Sequence, residues 1–151
     1  MAIDTLAAMR RIDDLLSHVW MVRTFIKHSE EIEEDDELAE VQRELYDFLL
    51  ALGPTLNAGD SDGYLKQARK KWSRFEKAAE KFQEIQPEIS LHTNFKMAAR
   101  SLAVAITAIR PLLLGSAGTG SDAAAAGCAG DSAATIGSAE SASAAESADA
   151  K

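Results

Sequence analysis

The chain has 151 residues, of which 46% are hydrophobic, and its net charge is −8 at pH 7. This charge disfavours nucleic acid as a partner, because the phosphate backbone is also negative, and a single cysteine, Cys128, excludes an intrachain disulfide. We expect one domain over residues 1–114, a size that forms a core without disulfides or metal.

Residues 3–29 predict the first helix, because apolar side chains recur at spacings of three and four. Its stripe is Met9, Ile12, Leu16, Val19, Arg23 and Ile26. Asp4 and this amphipathic pattern stand where a signal peptide has a basic start and an apolar run, so we expect a cytoplasmic protein. Trp20 and Trp72 count among the large apolar residues available to the core.

An acidic run over residues 30–37 comes next, with seven acids in eight positions. We interpret it as the connection into a second helix over residues 36–56, since acids favour a helix N-terminus. Gly53 and Pro54 are expected to bend or end that helix.

The third helix is predicted to begin at Asp60 or Ser61, either of which can cap it after a turn. The fourth is predicted to begin near Pro87 and to carry His92 as the first residue of its apolar seam. The apolar residues 102–114 are too few to span a bilayer and include charge, so we expect no membrane association.

Four amphipathic helices with short connections predict an all-α fold, an antiparallel up-down-up-down four-helix bundle with neighbours crossing at about 20°. Residues 115–151 are dominated by Ala, Gly and Ser. They lack the apolar side chains needed to offset the entropy of ordering, so we expect a disordered tail there.

In such a bundle, one end collects a set of polar side chains. Arg23 lies within an apolar stripe, and its guanidinium requires a carboxylate or water. Glu44 is the first candidate partner. The full cluster is Arg23, His28, Glu40, Glu44, Gln86 and His92. It is interpreted either as a structural ion pair with hydrogen-bonded boundary residues, or as a site for a small molecule or phosphate.

Arg23 and His28 also match the R-x4–6-H spacing of the HEPN family of helical bundles, which includes ribonucleases. That resemblance implies an Arg and a His acting on a scissile phosphate. The family usually has a polar residue after the arginine, and here Thr24 follows Arg23. The family's motif usually lies late in its domain, whereas this one lies early in the chain. The neighbouring acidic run would repel a nucleic-acid backbone.

The third helix carries a row of basic residues on the side away from its aromatic seam. They are Lys66, Lys70, Arg74, Lys77 and Lys81. We interpret this row as a solvated face paired in part with Glu76, Glu80 and Glu84. The row and the acidic run are also complementary, which suits an interface with a partner or a second copy.

Catalytic templates are not found: the chain has no glycine-rich phosphate loop, G-x-S-x-G, H-E-x-x-H or paired cysteines. It has no Glu-x-x-His for a di-iron bundle, and Glu88 with His92 supplies only two ligands, so we predict no metal and no cofactor. His18 stands alone.

The segments MRRIDDLLSHVWMVRTFIKHS and EIQPEISLHTNFKMAARSL resemble a family of short helical bacterial proteins, over about residues 5–113. Some members carry an amidohydrolase label. That activity requires H-x-H and a barrel of about 250 residues, which this chain cannot supply.

These patterns favour a non-catalytic helical-bundle interaction or scaffold protein. Its partner would be another protein or further copies of the chain, and neither nucleic acid nor a membrane. The alternative is a small-molecule or phosphate site at the polar end, with HEPN-like hydrolysis of RNA as its most specific form.

Overall fold

The structure, a computed structural model, describes residues 4–115, which form four α-helices. The helices are α1 (Thr5–Lys27), α2 (Asp36–Asn57), α3 (Ser61–Ile89) and α4 (Thr93–Leu114). A 3-10 helix over Glu30–Glu33 lies within the acidic connection before α2. These residues contain no strand, which confirms the all-α prediction. Residues 116–151 of the predicted tail lie outside the described residues.

The helices form a ring in which α1 packs on α2 and α4, and α3 packs on the same two helices. Neighbours run antiparallel. Gln83 near the end of α3 donates to the Ala99 carbonyl near the start of α4, at 2.6 Å. Arg69 near the start of α3 donates to the Leu113 carbonyl at the end of α4, also at 2.6 Å. The up-down-up-down arrangement is therefore confirmed.

Three aspartates begin the first three helices. Asp4, Asp35 and Asp60 each accept a hydrogen bond from a backbone N–H in the first turn of the helix, which satisfies a donor with no partner inside the helix. The predicted start of α3 at Asp60 is confirmed. Gly59, just before it, has φ +66°, a left-handed conformation that favours glycine.

Two prolines lie inside helices. Helix α2 includes Pro54 and ends at Asn57, one residue beyond the predicted end, whereas α3 includes Pro87, which was predicted to begin the fourth helix. Each proline lies in the last turn, so it removes only one late hydrogen bond. Apolar residues beyond the prolines, Leu56 and Ile89, pack against the core and hold these turns in place. Helix α4 therefore begins at Thr93 rather than near Pro87.

The core is a single apolar cluster with an aromatic centre between α2 and α3. The Phe48 and Phe75 rings stack at 4.0 Å between centroids, and the Trp72 and Phe75 centroids lie 5.5 Å apart. Stacked and tilted aromatic contacts add stability beyond the area that they bury. Within residues 4–115, the only buried side chains outside the apolar set are Arg23 and Gln86.

Candidate functional site

Arg23 is buried at the interface between α1 and α2, as its place in the apolar stripe predicted, with 8% of its surface exposed. Its guanidinium carbon lies 4.2 Å from the ring centroid of Tyr46 on α2 and 5.6 Å from that of Trp20 on α1. A cation over an aromatic face is attracted to the negative face of the ring. Two aromatic rings therefore hold the guanidinium.

The Arg23 guanidinium lacks a carboxylate. Its Nε is fully buried with no hydrogen-bond partner, and no ion pair joins it to residues 4–115. Arg23 is therefore a largely desolvated cation without a carboxylate partner in this part of the chain.

The expected pairing of Arg23 with Glu44 is wrong. Glu44 faces α3, where its carboxylate binds Arg74 at 2.5 Å. The reason is rotational: position 44 lies on the α3 side of α2, whereas Tyr46 faces α1. A second bridge joins Lys81 to Glu37 at 2.7 Å, and this hydrogen bond raises the pKa of Lys81.

These two bridges change the interpretation of the charged surfaces. Two members of the basic row of α3, Arg74 and Lys81, pair with acids of α2, and within residues 4–115 no member of the row forms an ion pair with an acid of its own helix. Glu76 of α3 forms an ion pair with Arg110 of α4. The complementary charges therefore neutralise one another in part within the molecule, which leaves less charge for an interface.

The other members of the predicted cluster have local contacts. The Gln86 side chain donates to the Ser90 carbonyl at 2.8 Å and so helps to close α3. His92 is exposed, and its Nδ1 accepts from Asn94 N at 3.1 Å, so it caps α4 and does not open its seam. His28 is the exposed C-cap of α1, and Glu40 is exposed on α2.

These residues therefore share one end of the bundle but have separate surroundings. Phe25 of α1 contacts Phe95 of α4 at 5.0 Å between centroids, which brings the end of α1 beside the start of α4. No hydrogen bond or ion pair joins Arg23 to His28 or His92 in the described part of the chain. Arg23 is the one buried member of the cluster whose side chain makes no hydrogen bond within residues 4–115.

A surface groove of about 300 Å³ runs between α1 and α2, and Arg23 is not among its lining residues. Its lining residues are Asp13, Leu16, Ser17, Trp20, Leu49 and Leu50. Trp20 is 46% exposed, so it forms part of this groove and not of the core as expected. Asp13 lies at the far end, and partial burial, followed by the charge of Asp14, raises its pKa.

A second groove, of about 410 Å³, lies on the other flank of α1, against α4. It is lined by Leu15, His18, Met97, Arg100, Ser101, Val104 and Ala105. Met97 is 52% exposed and Val104 is 60% exposed, although both are large apolar residues. This groove is predominantly apolar with a basic edge.

The sequence reasoning missed Met97, Val104 and Leu50 because it followed only the core stripe of each helix. A signal was present: α4 has apolar residues on both faces, more than its core stripe requires. At 22 residues it is long and apolar enough in composition to span a membrane, whereas the shorter segment 102–114 is not. Its inner face contributes Phe95, Leu102 and Ile109 to the bundle core.

No group of three or more His, Cys, Asp or Glu side chains in residues 4–115 is arranged to hold a metal ion. Comparison with protein-family models, with curated proteins and with solved structures finds no match for the chain. A function for the bundle is therefore inferred from the geometry of the two grooves beside α1.

Proposed function

We propose that the bundle is a non-catalytic interaction module that binds an acidic amphipathic helix of a partner protein along the groove between α1 and α4. The observation that carries the proposal is an apolar groove whose charged residues on α4 are all basic. Such a groove matches the mode in which one helix lays its apolar face between two others.

The apolar part of the surface has the spacing that a helix requires. Met97 and Val104 are seven residues apart, so they lie on the same face of α4 two turns from each other. Ser101 and Ala105, both small, lie between and beside them in the groove. Small residues at this position leave room for a partner side chain between the two larger ones.

The charge around the groove selects the partner. Helix α4 contains Lys96, Arg100 and Arg110 and no acidic residue. Arg110 is paired with Glu76, whereas Lys96 and Arg100 form no ion pair within residues 4–115. Complementary charge speeds association and rejects wrong partners, so an acidic helix suits this surface.

The same charges disfavour a symmetric dimer through this face. In a two-fold contact, α4 of one copy meets α4 of the other, and its basic residues then face basic residues. Within residues 4–115 the acids lie on the other three helices and in the connection before α2, and Glu37, Glu44 and Glu76 among them are already paired inside the bundle. A partner of different sequence avoids this repulsion.

The test uses the full chain and two synthetic amphipathic peptides with leucine on one face. One peptide has glutamate on its other face, and the control peptide has lysine. We expect the glutamate peptide to bind in calorimetry and the lysine peptide not to bind. Equal binding of both would overturn the proposal, because charge would then play no part.

Two variants test whether the glutamate peptide binds in the groove between α1 and α4. Val104→Glu places an acid in the groove and should weaken binding of the glutamate peptide by about tenfold or more. Leu50→Glu is the matched control, since Leu50 is an exposed apolar residue of similar exposure, 54%, on α2. Equal weakening by both variants, or a dimer in light scattering that Val104→Glu dissociates, would refute a partner helix as the occupant.

A further inference from the structure

We infer that His18 is a specificity-determining residue of the groove between α1 and α4, and that it makes the affinity for an acidic helix depend on pH. When its imidazole is protonated, His18 and Arg100 attract the same carboxylate of the bound helix from the two walls of the groove. This inference rests on the proposed function, since it concerns the same groove, and it adds the condition under which an acidic partner binds most tightly.

His18 lies on the wall of the groove that α1 supplies. Leu15, three residues before it on the same helix face, lines the groove with it, and Arg100 lines the groove from α4. His18 and Arg100 are both exposed, and neither side chain forms a hydrogen bond or an ion pair within residues 4–115. Both side chains are therefore free to bind a carboxylate of a partner.

The charged groups around His18 come from two helices. From α4 they are Arg100 and, one turn before it, Lys96; on α1 they are Asp14, one turn before His18, and Arg11, a turn further. No residue of α2 or α3 lines this groove. Asp14 is present with and without a partner, so it does not create a dependence on the partner. A proton on His18 thus adds a second cation to a lining whose one charged residue is otherwise Arg100.

A helix seated between α1 and α4 touches both walls at once. Its apolar residues contact Met97 and Val104, and Arg100 lies between these two in the sequence of α4. Axes of neighbouring packed helices are about 8–10 Å apart, so long side chains from both walls reach one group between them. A glutamate at the middle of the bound helix therefore meets Arg100 on one side and His18 on the other.

The direction of the pH dependence follows from linkage. A histidine gains its proton as the pH falls below neutrality, and a nearby carboxylate favours the protonated form. Because this coupling is reciprocal, the proton strengthens binding of the carboxylate by the same factor. An exposed ion pair contributes little, so the affinity should rise by about twofold to fivefold between pH 8 and pH 5.5. The glutamates of the peptide stay ionised in this range.

The test measures binding of the glutamate peptide to the full chain by calorimetry at pH 8 and pH 5.5. In His18→Gln the increase at pH 5.5 should disappear, and His18→Arg should bind at pH 8 as tightly as the parent does at pH 5.5. His28→Gln is the matched control, because His28 is an exposed histidine at the end of α1 that does not line the groove. This control should keep the parent's dependence on pH.

NMR of the imidazole signals gives a second readout, since the chain has three histidines. The glutamate peptide should move the titration curve of His18 to higher pH and leave that of His28 in place. Binding with the same pH dependence in His18→Gln as in the parent would overturn the inference and leave the proposed function standing. Absence of binding at both pH values would remove the proposed function, and the inference with it.

Discussion

Replacing Arg23 with methionine is expected to stabilise the protein. Methionine keeps the length and most of the volume of the arginine stem but carries no charge and no N–H donor. A buried cation without a partner is costly, and replacing buried charge with an apolar side chain of similar shape is often neutral or stabilising. The structure allows the size of the gain to be worked out.

Three contributions decide the size of this gain in the free energy of unfolding. Nε of Arg23 is fully buried without an acceptor, and its removal recovers about 1–3 kcal/mol. Loss of the cation–π contact with Tyr46 costs about 0.5–2 kcal/mol. A methionine sulfur against the same ring returns about 0.3–1.5 kcal/mol. The last two nearly cancel, so we expect a net gain of about 1–2 kcal/mol, with a rise in Tm of about 4–8 °C for each kcal/mol.

Urea and thermal unfolding followed by circular dichroism measure this difference. Arg43→Met is the matched control, because Arg43 is exposed on α2 and the same substitution there should change the free energy of unfolding by less than about 0.5 kcal/mol. If Arg23→Met lowers the free energy of unfolding by more than about 1 kcal/mol relative to the control, Arg23 is not an unpaired cation in solution and the reasoning fails.

Two further predictions concern Asp13 of α1 and Tyr64 of α3, whose ionisations are coupled electrostatically. The Tyr64 hydroxyl is buried without a partner in the described residues, and burial, followed by the charge of Asp13, raises its pKa. Tyr64→Phe should therefore leave the urea midpoint unchanged or raise it at pH 7; a clear decrease would show that the hydroxyl is hydrogen-bonded. Asp13 also has a raised pKa, so folding favours its protonated form, and its ionisation reduces stability as pH rises through the folded pKa. Asp13→Asn should have a higher Tm than the parent at pH 7, and the difference should vanish below about pH 4; a difference of the same size at both pH values would contradict the role of ionisation.

The periodicity of apolar residues was enough to predict four helices and their antiparallel order. That information is local: spacings of three and four define one buried face for each helix, and short connections leave antiparallel packing as the simplest way to bury those faces. Aspartates 35 and 60 marked helix starts for the same reason, since a cap acts within its own first turn. Pro87 misled because a proline can begin a new helix or lie in the last turn of the preceding one, and the packing of the residues beyond it, here Ile89, decides between the two.

The sequence also determined that Arg23 belongs to a buried stripe, but only the tertiary structure decided what lies opposite. Which side chain contacts Arg23 depends on the rotation of each helix about its own axis. Glu44 and Tyr46 are only two positions apart on α2, yet Glu44 faces α3 and Tyr46 faces α1. Spacing along one helix carries no information about that rotation. The same limit explains why the exposed Trp20 and the two grooves beside α1 became visible only once all four helices were packed together.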